Sequence, residues 1–221
     1  MMTNRFRTVA AAGLLSFAIG ATAVPAGAAT SPAPRSGAAA TAKARCTSEI
    51  QRRTFTLTIS KDWITNAKRV TAGQKASMIA GIDATMTQLT TVNQPAVAAA
   101  KTRAEITAAC QAILTDNRVY AVVVPQLLLT VRAEQLLTGQ DTLVTKSAEK
   151  AAAGADVTVL NQQLATAKAK IDPALASVAA VTPASFNADP TGTKAIFDAA
   201  AADLQMAFST LLQAIQTYRA L

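Results

Sequence analysis

The sequence predicts an all-α protein, an elongated antiparallel bundle of about five helices in which two three-helix halves share a long central helix kinked at Pro125. Composition is the first reason: 52 of the 221 residues are Ala, the strongest helix former, whereas Gly and Pro contribute only 9 and 8. Patterning is the second, because most of the chain after Lys43 carries apolar residues three and four positions apart, as in a helix that buries one face. So few turn-forming residues do not suit an all-β protein.

The N-terminal region has the pattern of a secretory signal. Two arginines precede an apolar run over residues 9–24, and the small-residue sequence Ala-Gly-Ala follows at 26–28. We therefore expect residues 1–28 to be a cleaved signal peptide and residues 29–42, rich in Ala, Ser, Pro and Gly, to be a flexible linker. Residues 43–221 would then form a single elongated helical domain, without a transmembrane span, that is extracellular or attached to the cell envelope.

The chain contains two cysteines, Cys46 and Cys110. An exported protein meets oxidising conditions and the two residues lack the spacing of a metal site, so we expect a disulfide rather than two free buried thiols. Helix geometry favours the same pairing: if the chain reverses near Val70 and again near Thr102, each cysteine lies 24 residues from the first reversal. Closing this loop would stabilise the fold by roughly 4 kcal/mol in the chain-entropy description.

The first predicted helix covers residues 43–69. Its apolar stripe is modest, because several members are polar or small. The segment 54–59 alternates with a period of two and would by itself suggest a strand. The helical stripe consists of Cys46, Ile50, Arg53, Leu57, Ser60, Ile64 and Ala67.

Capping boxes begin the next two predicted helices. A Thr-x-x-Gln box at 71–74 starts the second helix, which Asn-Gln-Pro interrupts at 93–95. A Thr-x-x-Glu box at 102–105 starts the third helix, which we expect to continue to about Ala153. This third helix would be nearly twice as long as its neighbours and would serve both halves of the bundle.

The middle of the third helix carries an apolar run from Val119 to Val131. We expect the two half-bundles to meet there and to bury the run on every side, Leu128 included, since its length suits a core helix rather than a membrane span. Pro125 removes one backbone donor and should kink the helix near Ala121.

Two further helices are predicted in the C-terminal part. Gly-Ala-Asp at 154–156 separates the third helix from the fourth, whose apolar stripe extends from Val157 to Val181. Pro173 either bends this helix or restarts it with Asp172 as cap. A loop then leads to residues 189–190, where the last helix begins with the heptad spacing of a coiled coil. Its predicted stripe consists of Phe197, Ala201, Leu204, Phe208, Leu211, Ile215 and Tyr218.

The residue types that carry most acid–base and metal chemistry are missing from the sequence. Because there is no histidine, a Ser-His-Asp triad, a Cys-His dyad and a His-ligated zinc site are excluded. Ser147 and Lys150 match the Ser-x-x-Lys motif of penicillin-recognising enzymes, but its companion motifs Ser-Asp-Asn and Lys-Thr-Gly are missing, and we expect a solvent-facing helix end there. The carboxylates are scattered singly, although a pair assembled by folding stays open. We therefore expect a non-enzyme without cofactor or metal.

Positive charge is concentrated in the first helix. Residues 43–75 contain eight basic and two acidic side chains, whereas the rest of the chain to residue 221 is nearly balanced. Such a helix would bind an anionic envelope polymer or lipid head groups; the alternative is a solvated face that only aids solubility. Phe55 and Trp63 are too few for the stacking surface of a single-strand binder, so we expect no specific nucleic-acid partner. The candidate anion-binding residues are Arg52, Arg53, Lys61, Lys68 and Arg69.

A second candidate site, a small-ligand pocket, lies at the predicted kink. Polar side chains are embedded there in the most apolar part of the chain, and the carbonyl that proline leaves without a donor could accept a hydrogen bond. The alternative is that these side chains bond across the junction of the half-bundles, since buried polar groups need partners. The candidate pocket residues are Arg118, Tyr120, Pro125 and Gln126.

Two segments carry motifs that can be compared with other sequences. Residues 112–126, AILTDNRVYAVVVPQ, follow an Asp-aromatic-Arg-Val-Tyr…Pro-Gln pattern except that Asn117 replaces the aromatic residue. Residues 181–188, VTPASFNA, follow a Leu/Val-Thr-Pro-Ala-aromatic-Asn-Ala pattern with one Ser inserted. In both segments the chain resembles a family of uncharacterised secreted, Ala-rich helical proteins of high-GC Gram-positive bacteria. The resemblance implies export and a helical fold and brings no active site.

These observations predict an exported, non-catalytic binding or structural protein that associates with the cell envelope through its basic N-terminal helix. For such a protein we expect a filled junction between the half-bundles and a continuous positive face. The alternative is a carrier of a small apolar ligand between the half-bundles, which needs a cavity beside Pro125.

Overall fold

The computed structural model describes residues 36–221, and in this range the chain is helical without a strand. The predicted all-α fold is confirmed. The predicted signal peptide, residues 1–28, lies outside the described residues, as does the predicted linker up to residue 35. The α-helices are α1 (Ser36–Asn66), α2 (Ala72–Thr87), α3 (Gln94–Ala99), α4 (Arg103–Thr115), α5 (Val124–Ala152), α6 (Thr158–Ala179), α7 (Pro183–Ala188) and α8 (Pro190–Ala220), and π-helical segments cover Gln88–Asn93 and Val119–Val123.

Helix α1 begins at Ser36, so residues 36–42 are helical and not part of a flexible linker. The segment 38–42 is rich in Ala, which propagates a helix more readily than any other residue. The strand-like segment 54–59 is part of the same helix, because its inward-facing residues continue the helical stripe. The predicted stripe is confirmed: Ile50, Arg53, Leu57 and Ile64 are buried, and Cys46, Ser60 and Ala67 are half-buried.

Helix α2 begins with the predicted capping box, in which Thr71 and Gln74 each accept a hydrogen bond from the other's backbone N–H. It does not stop at the predicted interruption. A π-helical segment joins it to α3, whose first turn contains Pro95. The wider hydrogen-bond pattern of that segment lets the helix continue past a residue that has no N–H to donate. The chain reverses only after Ala100, and Thr102 caps α4 as predicted.

The predicted long central helix is wrong, because this part of the chain forms two helices. Helix α4 ends at Thr115, and Arg118 adopts the left-handed backbone conformation, with φ 40° and ψ 42°, which a right-handed helix cannot contain. The buried side chain of Asn117 donates a hydrogen bond from Nδ2 to Oδ1 of the buried Asn93, at 3.0 Å. The helix therefore ends at a polar contact, and Pro125 occupies the first turn of α5 instead of a kink.

The apolar run between the two helices contacts two hydrophobic cores without being buried on every side. Val119 and Val131 belong to a core built mainly by α1, α2 and α4, whereas Val122 belongs to a core built by α5, α6 and α8. Leu128, which we expected to be buried, is 51% exposed, and Tyr120 is also exposed. Since the two cores lie on two sides of α5, its remaining face meets solvent.

Helices α6 and α8 pack against each other and against α5. The α6 stripe is confirmed and continues through Pro173. In α8 three of the seven predicted stripe positions are shifted by one residue, to Ala200, Ala207 and Ala214. Small Ala side chains take these contact positions because they let two helix backbones approach closely. Of the described helices, α8 alone is long and apolar enough to cross a membrane by length and composition. The buried face of α8 consists of Thr193, Phe197, Ala200, Leu204, Ala207, Leu211 and Ala214.

The predicted disulfide between Cys46 and Cys110 is confirmed, with Cα atoms 5.5 Å apart. It joins α1 to α4 at the edge of the first core. The two cysteines lie at one level, as helix lengths predicted, although the central helix is broken, because the break at Arg118 lies beyond Cys110.

Candidate anion-binding site

Two arginines of α1 meet at the ring of Tyr120. The guanidinium carbons of Arg52 and Arg53 lie 5.1 and 5.0 Å from the ring centre. Both arginines also bind Glu49, through nitrogen–oxygen contacts of 2.7 Å for Arg52 and 2.9 Å for Arg53. Positions 49, 52 and 53 are three and four residues apart, so the helix itself brings the three side chains together.

The two arginines differ strongly in burial. The side chain of Arg52 is 64% exposed, and the hydrogen bond to Glu49 together with the charge of that carboxylate raises the pKa of Arg52. The side chain of Arg53 is only 7% exposed, because its position lies on the buried stripe of α1. Among the described residues nothing accepts a hydrogen bond from the Nε of Arg53. A buried guanidinium N–H without an acceptor is costly, and the positive charge of the same group would stabilise an anion bound beside it.

A cavity of about 360 Å³ opens between α1 and α4 beside these residues. Arg45, Glu49, Arg52 and Arg53 line it, together with the disulfide. Three arginines and one carboxylate thus line the cavity, and two of the arginines bind that carboxylate. Guanidinium forks match the oxygens of phosphates and carboxylates, so the chemistry of this lining suits an oxyanion.

The other predicted anion-binding residues do not join this cluster. Lys61 forms an ion pair with Asp83 of α2 at 2.7 Å. Lys68 and Arg69 are exposed at the reversal between α1 and α2, where their carbonyls accept hydrogen bonds from side chains of α5. A continuous positive face on α1 is therefore wrong, since Arg53 is buried and Lys61 is paired.

Sequence reasoning missed three members of the cluster. Arg45 and Glu49 carry a readable signal, because they lie seven and three residues before Arg52 and so share a helical face with it. Tyr120 was assigned to the pocket at the kink. No sequence signal brings Tyr120 to α1, since the contact depends on the left-handed backbone at Arg118 that precedes it.

The candidate kink residues contact separate neighbours. Arg118 donates from Nε to Oδ1 of Asn187 at 2.5 Å, while Tyr120 belongs to the arginine cluster. Gln126 donates from Nε2 to the carbonyl of Val178 at 2.9 Å, near the end of α6. These contacts match the alternative in which polar side chains bond across the junction.

Two grooves lie beside this junction. One, of about 570 Å³, is lined by Pro125 with residues of α7 and α8. The other, of about 600 Å³, lies between α2, α5 and α6 and is lined by apolar side chains such as Met78, Ile82 and Leu127, with Gln126 and Asn117 at its polar part. The junction is therefore not completely filled, whereas we expected a filled junction in a protein that binds the envelope.

The Ser-x-x-Lys motif is placed differently from the expectation. Ser147 is buried, not solvent-facing, and its hydroxyl donates to Oδ1 of Asn161 at 2.7 Å. The Lys150 ammonium lies 5.4 Å from the ring centre of Tyr218. Each side chain is thus engaged by a different neighbour. In the range 36–221 no three potential metal-ligating side chains are grouped together.

No protein-family model, curated protein or solved structure matches the chain. The resemblance to secreted Ala-rich helical proteins therefore stays a prediction.

Proposed function

We propose that this is an exported, non-catalytic helical protein that binds an anionic polymer of the cell envelope through α1. The observation that carries the proposal is a local cluster, in place of the continuous positive face expected from the sequence: Arg45, Arg52 and Arg53 line one cavity, and the guanidinium groups of Arg52 and Arg53 bind Glu49. Export is supported by the signal-peptide pattern of residues 1–28 and by the disulfide, since such bonds persist mainly in oxidising compartments.

A polymer of repeating phosphates fits α1 better than a single small anion does. Lys68 and Arg69 are exposed just after α1 ends at Asn66, and the 14 residues from Arg52 to Asn66 correspond to roughly 21 Å at the rise of an α-helix. Two cationic points at that distance can engage the same extended chain, and binding at one raises the effective concentration at the other. The attraction should weaken as salt shortens the screening length.

The non-catalytic part of the proposal is supported by composition and by the contacts of the motif residues. The sequence contains no histidine, the commonest general acid and base. The hydroxyl of Ser147 already donates to Asn161, and Lys150 lies over Tyr218. A nucleophilic serine needs a base within hydrogen-bond reach, so these contacts favour binding over hydrolysis.

The test is retention of the protein on immobilised polyphosphate and on wall fractions. Arg45→Gln with Arg52→Gln removes two exposed charges and leaves Arg53 in place. We expect the affinity to fall about thirtyfold at low salt, since each of the two lost contacts contributes on the order of 1 kcal/mol. The matched control, Lys194→Gln with Arg219→Gln, removes the same net charge from α8 and should bind like the parent. Equal retention of both variants at every salt concentration would refute the proposal.

A second candidate function is a carrier of a small apolar ligand, and the groove of about 600 Å³ between α2, α5 and α6 favours it. Gly81 of α2 lines this groove, and a Cβ placed there meets no atom within 4 Å. Gly81→Leu should therefore fold and occupy the groove. If the carrier reading holds, the parent binds the neutral dye Nile red and Gly81→Leu does not, while retention on polyphosphate is the same for both.

A further inference from the structure

The outer face of α1 carries three large apolar side chains in a row. Phe55 is 66% exposed, Ile59 is 52% exposed and Trp63 is 43% exposed. They follow one another at four-residue spacing and therefore lie along one face of the helix, over roughly 12 Å. The opposite face of the same helix is in the core, where Leu57 and Ile64 are fully buried. Helix α1 is thus apolar on two faces, of which one is covered.

Single exposed apolar residues are common on protein surfaces, but a contiguous row that includes two aromatic rings is typical of an interaction site. Burial in the first core does not require these residues, because the inward stripe already provides the packing of α1. The row was not part of the sequence prediction, which counted Phe55 and Trp63 only as too few for nucleic-acid stacking. Their common spacing with Ile59 is the signal that was available.

The charges around the row indicate what covers it. Arg45 and Arg52 precede it on nearly the same side of the helix, at positions fourteen and seven residues before Ile59. Lys68 and Arg69 follow it beyond the end of α1 at Asn66 and are exposed. One exposed carboxylate, that of Asp62, lies beside Trp63. An apolar aromatic centre with cations at both ends is the pattern of a helix that lies in the interface of an anionic membrane. A wall polymer would use the cations but has nothing that gains from contact with Phe, Ile and Trp.

We propose that this face, defined by Phe55, Ile59 and Trp63, docks on a lipid surface with anionic head groups. The cations at either end contact head-group phosphates, and the three apolar side chains enter the boundary between head groups and acyl chains. The inference goes beyond the proposed function, because it adds anionic lipid as a second partner of α1 on a face that the polymer does not need.

Trp63 provides the readout, since it is the only tryptophan in the chain. The full-length protein, expressed with its own leader and purified from the medium, is mixed with vesicles of phosphatidylcholine with or without phosphatidylglycerol. We expect its emission to shift to shorter wavelength, and to be quenched by brominated acyl chains, only when phosphatidylglycerol is present. Phe55→Ser with Ile59→Ser should weaken vesicle binding more than tenfold while retention on polyphosphate is unchanged. The control, Ile196→Ser with Met206→Ser, changes two exposed apolar residues of α8 and should bind like the parent.

The outcomes separate the inference from the proposed function. Unchanged Trp63 emission with phosphatidylglycerol vesicles, or equal vesicle binding by the Phe55→Ser, Ile59→Ser variant, overturns the docking face. If retention on polyphosphate still depends on Arg45 and Arg52 in that case, the proposed function stands without it. Capture of an envelope protein by the parent, with no binding to protein-free vesicles, also overturns the lipid assignment.

Discussion

Glu49 binds two arginines of very different burial, so its removal tests how the candidate site is held together. In Glu49→Gln, Arg52 loses an ion pair in which its own side chain is 64% exposed. Arg53 loses the carboxylate that neutralises a guanidinium only 7% exposed. The two losses should have different effects on the free energy of unfolding.

The magnitude follows from this difference. An exposed ion pair contributes about 0.5 kcal/mol, which we assign to Arg52. Breaking a buried pair usually costs about 3–5 kcal/mol, because one charge stays behind without compensation. Because the Glu49 side chain is itself 24% exposed, water partly compensates the Arg53 charge once the carboxylate is gone. We therefore expect the loss at Arg53 to lower the free energy of unfolding by about 2 kcal/mol. Glu49→Gln should therefore destabilise the protein by about 2.5 kcal/mol.

A double-mutant cycle with Arg53→Met isolates the buried part. Methionine keeps most of the apolar volume and removes both the buried charge and its unpaired Nε, so this change alone should be nearly neutral. In the Arg53→Met background, Glu49→Gln should cost only about 0.5 kcal/mol, which gives a coupling free energy of about 2 kcal/mol. Urea denaturation followed by circular dichroism, with the disulfide intact, measures all four proteins. An equal loss in both backgrounds would show that Arg53 does not depend on Glu49.

Three further predictions concern the fold. Burial raises the pKa of Glu134, so the folded state holds the proton to higher pH than the unfolded state does. The protein therefore loses stability as the pH rises through that range, and Glu134→Gln should be more stable than the parent at neutral pH. In urea melts below about pH 4, where the carboxyl is protonated in both states, the difference should vanish. Leu128→Asp should change stability by less than about 0.5 kcal/mol because the side chain is exposed, whereas Val131→Asp should cost about 4 kcal/mol or more as a buried unpaired charge. Cys46→Ala with Cys110→Ala should lower the free energy of unfolding by roughly 4 kcal/mol, given a sequence separation of 64, and a loss below 1 kcal/mol would contradict the loop-closure account.

The parts of the fold that sequence predicted well are those in which residue size and spacing agree. The stripes of α1 and α6 hold because large aliphatic residues recur at helical spacing and leave one choice for the buried face. The stripe of α8 was half wrong for the opposite reason. Ala is abundant on every face of that helix, so spacing alone could not decide between Ala207 and Phe208. The smaller residue took the interface because it allows a closer helix contact.

The break between α4 and α5 was missed because the residues that cause it act across the fold. Asn117 was read within a helical pattern, yet its side chain is held by Asn93, which is 24 positions earlier in the chain. Arg118 then takes a left-handed conformation that non-glycine residues rarely adopt. Proline, the residue that local rules identify as a breaker, ended neither helix. A π-helical segment precedes each of the two prolines, Pro95 and Pro125, and accommodates the missing backbone N–H.

The candidate site arises where two sequence rules gave opposite answers for one residue. Heptad spacing placed Arg53 in the buried stripe, and its charge placed it among the exposed anion-binding residues. It is buried, and it keeps a guanidinium N–H without an acceptor among the described residues. Arg53 lines the cavity, so an oxyanion bound there would offset the cost of burying its charge, and binding and stability are linked. A ligand that binds only the folded state raises its stability in proportion to the logarithm of ligand concentration over the dissociation constant. Phosphate should therefore raise the melting temperature of the parent and not that of Arg53→Met, and equal shifts for both proteins would mean that the anion binds elsewhere.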